Sequence, residues 1–146
     1  MPRIAFATFA VEVPTGWAEM THIVDAENPP NTLAHRNGLG ALQFSTALYK
    51  SGPIPNPSLA DLQEMIAEFS RKLELGEPRD VVADPGPPAM VSVSFAWGDD
   101  FVRVWHVSDG RNFARVTYTC AAEHAGPELA ACEEIVRSIA FRVGSS

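Results

Sequence analysis

The stretch A-M-V-S-V-S-F-A-W-G-D-D-F-V-R-V-W-H-V-S-D-G-R-N-F-A-R-V-T-Y-T-C-A, residues 89–121, decides how the rest of the chain is read. β-Branched and aromatic residues dominate it, and two turn signals, Gly98-Asp99-Asp100 and Asp109-Gly110, divide it into three runs of strand length. The pattern predicts an antiparallel meander: Ala89 to Trp97, Phe101 to Ser108, and Arg111 to Ala121. With Asp109-Gly110 as a two-residue type I′ turn, Ser108 lies opposite Arg111, Trp105 opposite Ala114, Arg103 opposite Val116 and Phe101 opposite Tyr118. One face then carries Phe101, Arg103 and Trp105. The other carries Val102, Val104, His106, Phe113, Arg115 and Thr117. Both faces are substantially apolar, so both need a cover, and the chain offers one helix before the meander and one after it.

The earlier helix opens at Pro57-Ser58-Leu59-Ala60-Asp61, with Ser58 as N-cap and Asp61 three residues on as a shortened capping box. Leu59, Leu62, Met65, Ile66, Phe69 and Leu73 keep helical spacing on one face, and Gly76 is placed to follow the C-terminus. The later helix starts at Gly126-Pro127 with proline in its first turn, presents Leu129, Cys132, Ile135, Val136 and Ile139, and leads into a closing strand from Ile139 to Val143. Towards the N-terminus, Ile4 to Val13 reads as a strand ending at the turn Pro14-Thr15-Gly16-Trp17. Met20 to Asp25 reads as a weaker strand, followed by a polar loop through Gly38. From Gly40, G-A-L-Q-F-S-T-A-L-Y-K alternates Leu42, Phe44 and Leu48 against Gln43, Ser45 and Tyr49, which predicts a half-buried strand.

With 146 residues and no repeat or long linker, the chain is expected to form one domain spanning residues 1–146. A formal charge of −7 without any run of Lys or Arg removes the electrostatic footprint that phosphates need, so nucleic acid is an unfavoured ligand. An acidic surface suits solubility or encounter with a basic protein. The N-terminal apolar run, about eight residues broken by Thr8 and closed by Glu12, lacks the cleavage site of a secretory signal, and no apolar stretch is long enough to span a bilayer. A cytoplasmic location is expected.

Cys120 and Cys132 are the two cysteines, both within thirteen residues, with His124 between them. The spacing supplies three ligands at most, so burial is the better account than zinc. Cys120 continues the inward series of its strand and Cys132 lies on the apolar stripe of the following helix; a disulfide between them is geometrically possible. No motif surrounds any serine as a nucleophile, and the serines of M-V-S-V-S-F alternate with core residues. Gly38-Leu39-Gly40 precedes a strand, not a helix, and so reads as a bend, not a phosphate loop. His106 reads as a structural histidine. Glu133 and Glu134, adjacent on a helix, point in different directions, and a solvated role suffices for Glu123 and Glu128. Arg103 shares its face with two aromatic residues and needs a carboxylate partner, an aromatic stack or a sheet rim; a structural ion pair is favoured over an anion pocket. Asp99, Asp100 and Asp109 stand at hairpin ends and, with Asp25 and Glu27 before Pro29-Pro30, are candidate rim contacts for a basic partner.

The strand ending in V-P-T-G-W, the G-A-L-Q-F-S-T-A strand, the S-L-A-D-L-Q-E-M helix, the R-N-F-A-R-V-T-Y-T strand and the closing E-L-A-A-C-E-E-I-V-R-S-I-A-F together resemble the PsbP/Mog1-like superfamily over most of the chain. The resemblance implies an α+β protein: an α/β/α sandwich with a mainly antiparallel sheet of about six or seven strands and helices on both faces. Members are generally binding or accessory proteins, so the resemblance leaves the partner open. The function expected is non-enzymatic: a protein without cofactor or metal that binds and occludes another protein, as an immunity protein or adaptor of a secreted bacterial toxin or effector. Trp17 and Tyr49 are expected to be exposed anchors, with Asp25, Glu27, Asp99, Asp100, Arg103 and Asp109 as the other partner-binding candidates. The alternatives are a small-ligand-binding or enzymatic domain, with Arg103 or His106 at the floor of a pocket between sheet and helix, and a module acting through self-association.

Overall fold

The structure, a computed structural model, describes residues 2–23, 27, 29–36 and 38–142. In chain order the elements are β1 (Arg3–Ala5), β2 (Phe9–Glu12), β3 (Trp17–Glu19), a 3-10 turn (Thr21–Ile23), β4 (Asn31–His35), β5 (Gly40–Ala47), α1 (Leu59–Leu73), β6 (Arg79–Asp84), β7 (Ala89–Trp97), β8 (Asp100–Ser108), β9 (Phe113–Ala121), a second 3-10 turn (Ala122–His124), α2 (Leu129–Arg137) and β10 (Ala140–Phe141). Seven strands form one sheet in the order β3-β4-β5-β9-β8-β7-β6, antiparallel throughout, and β1, β2 and β10 form a second, three-stranded sheet. The class is α+β, as expected. Among the described residues no helix is long and apolar enough to cross a membrane.

The pleat of β8 sorts the core in two. Val102 and Val104 join Val91, Val93 and Phe95 in a cluster with Leu62 and Ile66 of α1. Trp105 and Val107, pointing the opposite way, join Val116, Tyr118 and Cys120 in a cluster with Cys132, Ile135 and Val136 of α2. Phe9, Val11 and Val13 complete that second cluster, so the small sheet shares the cover with α2. Phe9 stacks between Phe6 and Phe44, with ring centroids 4.7 Å from each.

The order of the meander is as expected, and its register differs by two. Ser108 pairs with Phe113, Trp105 with Val116, Arg103 with Tyr118 and Phe101 with Cys120. The cause lies in Asp109. Its Oδ1 accepts from the Arg111 and Asn112 N–H groups at 2.9 and 2.7 Å, and its Oδ2 from the Asn112 side chain at 3.1 Å. These bonds favour a four-residue loop over the two-residue turn. A slip of two keeps every side chain on its expected face. His106 therefore meets Phe113 edge to face, at 5.0 Å between ring centroids, as the one-sided pattern requires.

α1 forms where the sequence places it. Ser58 Oγ accepts from Asp61 N at 3.0 Å, and Asp61 Oδ2 accepts from Ser58 N at 2.9 Å, closing the capping box. Ser58→Ala is expected to lower stability by about 1 kcal/mol, read as a shifted urea midpoint with unchanged slope. The left-handed residue that ends α1 is Glu74, at φ 54°, and not Gly76; Gly76 instead donates its N–H to the Ala96 carbonyl at 2.8 Å.

Other expectations need correction. Ile4 to Val13 is a hairpin of two strands in the small sheet, because the chain reverses at Phe6, whose N–H bonds the Phe9 carbonyl at 2.7 Å. The strand expected from Met20 to Asp25 is replaced by β3, which starts at Trp17, and the 3-10 turn; Asp25 lies outside the described residues. The loop through Gly38 contains β4, and β6 was not anticipated at all. α2 begins at Leu129, with Glu128 and not Pro127 at its start, and the last strand is shortened to Ala140–Phe141, Val143 lying outside the described residues.

Candidate functional site

Arg103 sits mid-strand on β8 and points to the α2 side, opposite Ser94 of β7. Its side chain is enclosed, the residue being only 6% exposed. Nη2 donates to Ser92 Oγ at 2.7 Å, and Nη1 donates to Ser94 Oγ at 2.7 Å and to the Asp80 carbonyl of β6 at 3.1 Å. Nε lies 3.5 Å from Oε1 of Glu133 on α2, an oxygen that also accepts from Trp105 Nε1 at 3.0 Å. The guanidinium carbon stands 5.6 Å from the centre of the Trp105 ring. Glu133 reaches on to Arg137 Nε at 3.8 Å, and Arg137 pairs with Asp84 of β6. The Arg137 hydrogen bond and the Gly86 N–H together hold the Asp84 carboxyl below its ordinary value. Carboxylate partner and aromatic stack are thus both present, and the guanidinium spends its donors on protein acceptors.

His106 occupies the opposite face, beneath α1. Its Nε2 accepts from Arg115 Nε at 3.0 Å, which places the ring proton on Nδ1. Nδ1 faces the Leu62 backbone without reaching hydrogen-bond geometry, and among the described residues it is the one buried side-chain polar atom without a partner. Burial, with the Arg115 charge adding to it, lowers the His106 pKa to about 3. Arg115 itself lies 4.1 Å over the Phe69 ring of α1. His106 is closed off from solvent and packed between Arg115 and Phe113, a position in the core of the α1 side.

Both thiols are free and buried in the α2-side cluster, and burial raises both above the ordinary thiol value. Glu128, for which solvent had sufficed, does more than face water. Its Oε1 accepts from Tyr118 Oη at 2.7 Å and from the Leu39 and Gly40 N–H groups at 3.3 and 3.2 Å. The Gly38-Leu39-Gly40 bend therefore does cradle an anion, and that anion is the protein's own carboxylate. Gly40 has no room for a side chain there, since a Cβ would stand 2.5 Å from the Thr119 carbonyl oxygen.

The remaining candidate residues are scattered. Trp17 is not an exposed anchor: only 8% of it is accessible, and its ring meets His35 edge-on at 6.2 Å. Hydrophobic burial outweighs the turn context that had suggested exposure. Tyr49 is half-buried, its hydroxyl donating to the Gly52 carbonyl at 2.5 Å and its ring lying 5.7 Å from the Arg111 guanidinium. Glu27 is exposed. Asp99 and Asp100 stand at one end of β8 and Asp109 at the other, roughly 30 Å apart by strand rise. Asp109 is engaged in its own loop. A cleft of about 580 Å³ lies between Pro87-Pro88, Asp109 and the Arg137–Phe141 stretch and is lined by neither Arg103 nor His106.

Sequence reasoning missed four residues. Ser92 and Ser94 alternate with core residues in the sequence, but nothing local marks them as acceptors for Arg103. Glu133 is marked only by its place on the inner flank of a helix. Trp97, 48% exposed while Trp17 and Trp105 are buried, is the exposed tryptophan of the chain.

No family model and no curated protein matches the sequence. Solved structures do match. CyanoP, the cyanobacterial PsbP of Synechocystis sp. PCC 6803, superimposes with a TM-score of 0.61 over 97% of this chain and 92% of its own, at 10% sequence identity. This chain has a PsbP/Mog1-like fold. A protein from Bacteroides thetaiotaomicron VPI-5482 is also similar, with a TM-score of 0.59 and 14% identity over 92% of this chain. The chain spans 45% of the length of that Bacteroides protein. At these identities the likeness carries the PsbP/Mog1-like architecture and no residue roles. The network around Arg103 and the sealed His106 are features of this sequence on that architecture.

Proposed function

We propose that the chain is a non-enzymatic, cytoplasmic protein-binding domain, acting as an immunity protein or adaptor that occludes a secreted bacterial toxin or effector. The observation that carries this reading is the saturation of Arg103. A ligand pocket or active site between sheet and helix needed Arg103 or His106 on its floor. The one is surrounded by Ser92, Ser94, Asp80 and Glu133, and the other is sealed beneath α1. With the interior filled, recognition falls to the surface, where the net charge of −7 favours a basic partner. The PsbP/Mog1-like fold supports the same class of function.

Co-expression with the product of the adjacent gene tests it. The expected result is a complex that survives size-exclusion chromatography and relieves growth inhibition by that product. Separate elution together with undiminished toxicity would overturn the proposal.

A further inference from the structure

α1 packs on β7 and β8. Beside it, the same face of β9 and β5 carries Phe113, Arg115 and Thr117 opposite Ala47, Ser45 and Gln43. That strip is two strands wide, about 10 Å, which is the breadth of one more helix. Ser45 and Ala47 on it are exposed. The flank of α1 bordering the strip carries Met65, Phe69 and Leu73, four residues apart. Met65 joins Ala47 and Phe113 in the lining of an apolar recess of about 240 Å³, the Phe69 ring lies 4.1 Å from the Arg115 guanidinium, and Leu73 is 41% exposed. The result is a trough with small side chains on its floor and an apolar wall. Arg115 is the charge within it. Its Nε donates to His106 Nε2 at 3.0 Å, and among the described residues neither Nη group has a hydrogen bond and no carboxylate lies within ion-pair distance. The residue is half-buried, and loss of water lowers its pKa with no anion to oppose the shift. A chain with 18 acidic residues thus leaves one partly desolvated guanidinium without a counter-charge, while Arg103 and Arg137 are both paired.

We infer that this trough is the docking site for an amphipathic helix of the protein partner, which lies alongside α1 and pairs an Asp or Glu with Arg115. The inference rests on the proposed protein-binding function and assigns its surface. Charge complementarity selects the occupant. A guanidinium with two free Nη groups takes a carboxylate in bidentate geometry, and forming that pair displaces no internal ion pair. Shape selects the helix. One centred over β9 and β5 lies about 10 Å from one centred over β7 and β8, the separation at which helices pack. Its flank then meets Met65, Phe69 and Leu73, and one of its apolar side chains enters the recess beside Phe113. The net charge of −7 governs approach and the local pair governs register, so a basic partner with one acidic residue on this helix satisfies both. A second copy of this chain fits poorly, because α1 and α2 already spend their apolar faces on their own sheet.

The probe is a pair of synthetic amphipathic helical peptides of leucine, alanine and lysine, identical except for one residue at the edge of the apolar face, Glu in one and Gln in the other. They are titrated into isotope-labelled protein. The expected result is amide shifts confined to residues 43–49, 65–73 and 113–117, with the Glu peptide binding about tenfold more tightly. Arg115→Gln is expected to erase that difference. So is Ser45→Glu, an exposed position opposite Arg115 in register, which supplies the missing carboxylate from within the chain and leaves the core untouched. Shifts centred elsewhere, or equal affinity of the two peptides for the native protein, overturn the assignment. Decanoate binding in the trough while neither peptide enters it overturns it in favour of an acyl carboxylate, and self-association that Ser45→Glu abolishes overturns it in favour of a second copy. In the complex with the adjacent gene's product, both variants are expected to weaken affinity about tenfold. A wild-type complex that both leave intact overturns the trough and leaves the protein-binding function standing. Absence of any wild-type complex strikes the immunity reading, while the peptide map still decides the trough.

Discussion

Arg103→Ala lowers the unfolding free energy by about 3–5 kcal/mol in a denaturant titration at neutral pH, because it removes the hub of a buried network and leaves a cavity. The side chain holds β6, β7 and α2 together, through the Asp80 carbonyl, the two serine hydroxyls and Glu133. The serine–guanidinium bonds are charge-assisted, at 2.7 Å, and lie out of water, where such bonds are strongest. Glu133 is a lesser member: its side chain is 30% exposed, so solvent screens its attraction to Arg103. Glu133→Gln keeps an acceptor for Trp105 Nε1 and is expected to cost about 1 kcal/mol. Arg103→Met, which retains much of the stem, is expected to fall between the two. An Arg103→Ala cost below that of Glu133→Gln would mean that the network does not join α2 to the sheet.

The second large effect is acid destabilisation through His106. In the folded protein its pKa is about 3, and in the unfolded chain it titrates near 6.5. Between those values the unfolded state binds the proton and the folded state does not, so stability falls as pH falls. The contribution is fully present above pH 6.5 and is withdrawn at about 1.4 kcal/mol per pH unit below it, or about 3 kcal/mol by pH 4.5. Glu19, Asp84 and Asp109 also titrate below their ordinary values in the fold, but their contributions are lost only at more acid pH. The interval from 6.5 to 4.5 therefore isolates the histidine. Unfolding free energies measured across it should decline in the native protein and lie nearly flat in His106→Gln. Parallel declines would show that the ring is accessible to protons in the folded state.

Legibility in the sequence followed the range of the forces involved. α1 was readable because capping by Ser58 and Asp61 and the spacing of Leu62 and Ile66 are local. The faces of the meander were readable because the pleat has a period of two, and they survived the misjudged loop for the same reason. β6 escaped notice because its residues are mostly exposed and half of them charged, with prolines on both sides, and its pairing with β7 is decided elsewhere in the chain. β4 escaped for a similar reason, its neighbours β3 and β5 supplying what its composition does not. The reversal at Phe6 to Thr8 carries no Gly, Pro or Asn. For the site, charge and face pointed to Arg103, but the partners that saturate it come from β6, β7 and α2, a convergence that only tertiary structure creates. The burial of Trp17 was hidden likewise, since a turn signal says where the chain bends and not what packs over the bend.

The small sheet places β2 between β1 and β10, so Ala10 pairs with Ala140 and Phe9 with Phe141. During synthesis β2 leaves the ribosome long before α2 and β10, with most of the large sheet made in between. Until then Phe9 and Val11 have neither β10 nor α2 above them, and the nascent N-terminal hairpin presents an oily surface to the cell. Closure of the small sheet is thus a slow, late step, because it waits on a contact between segments far apart in sequence.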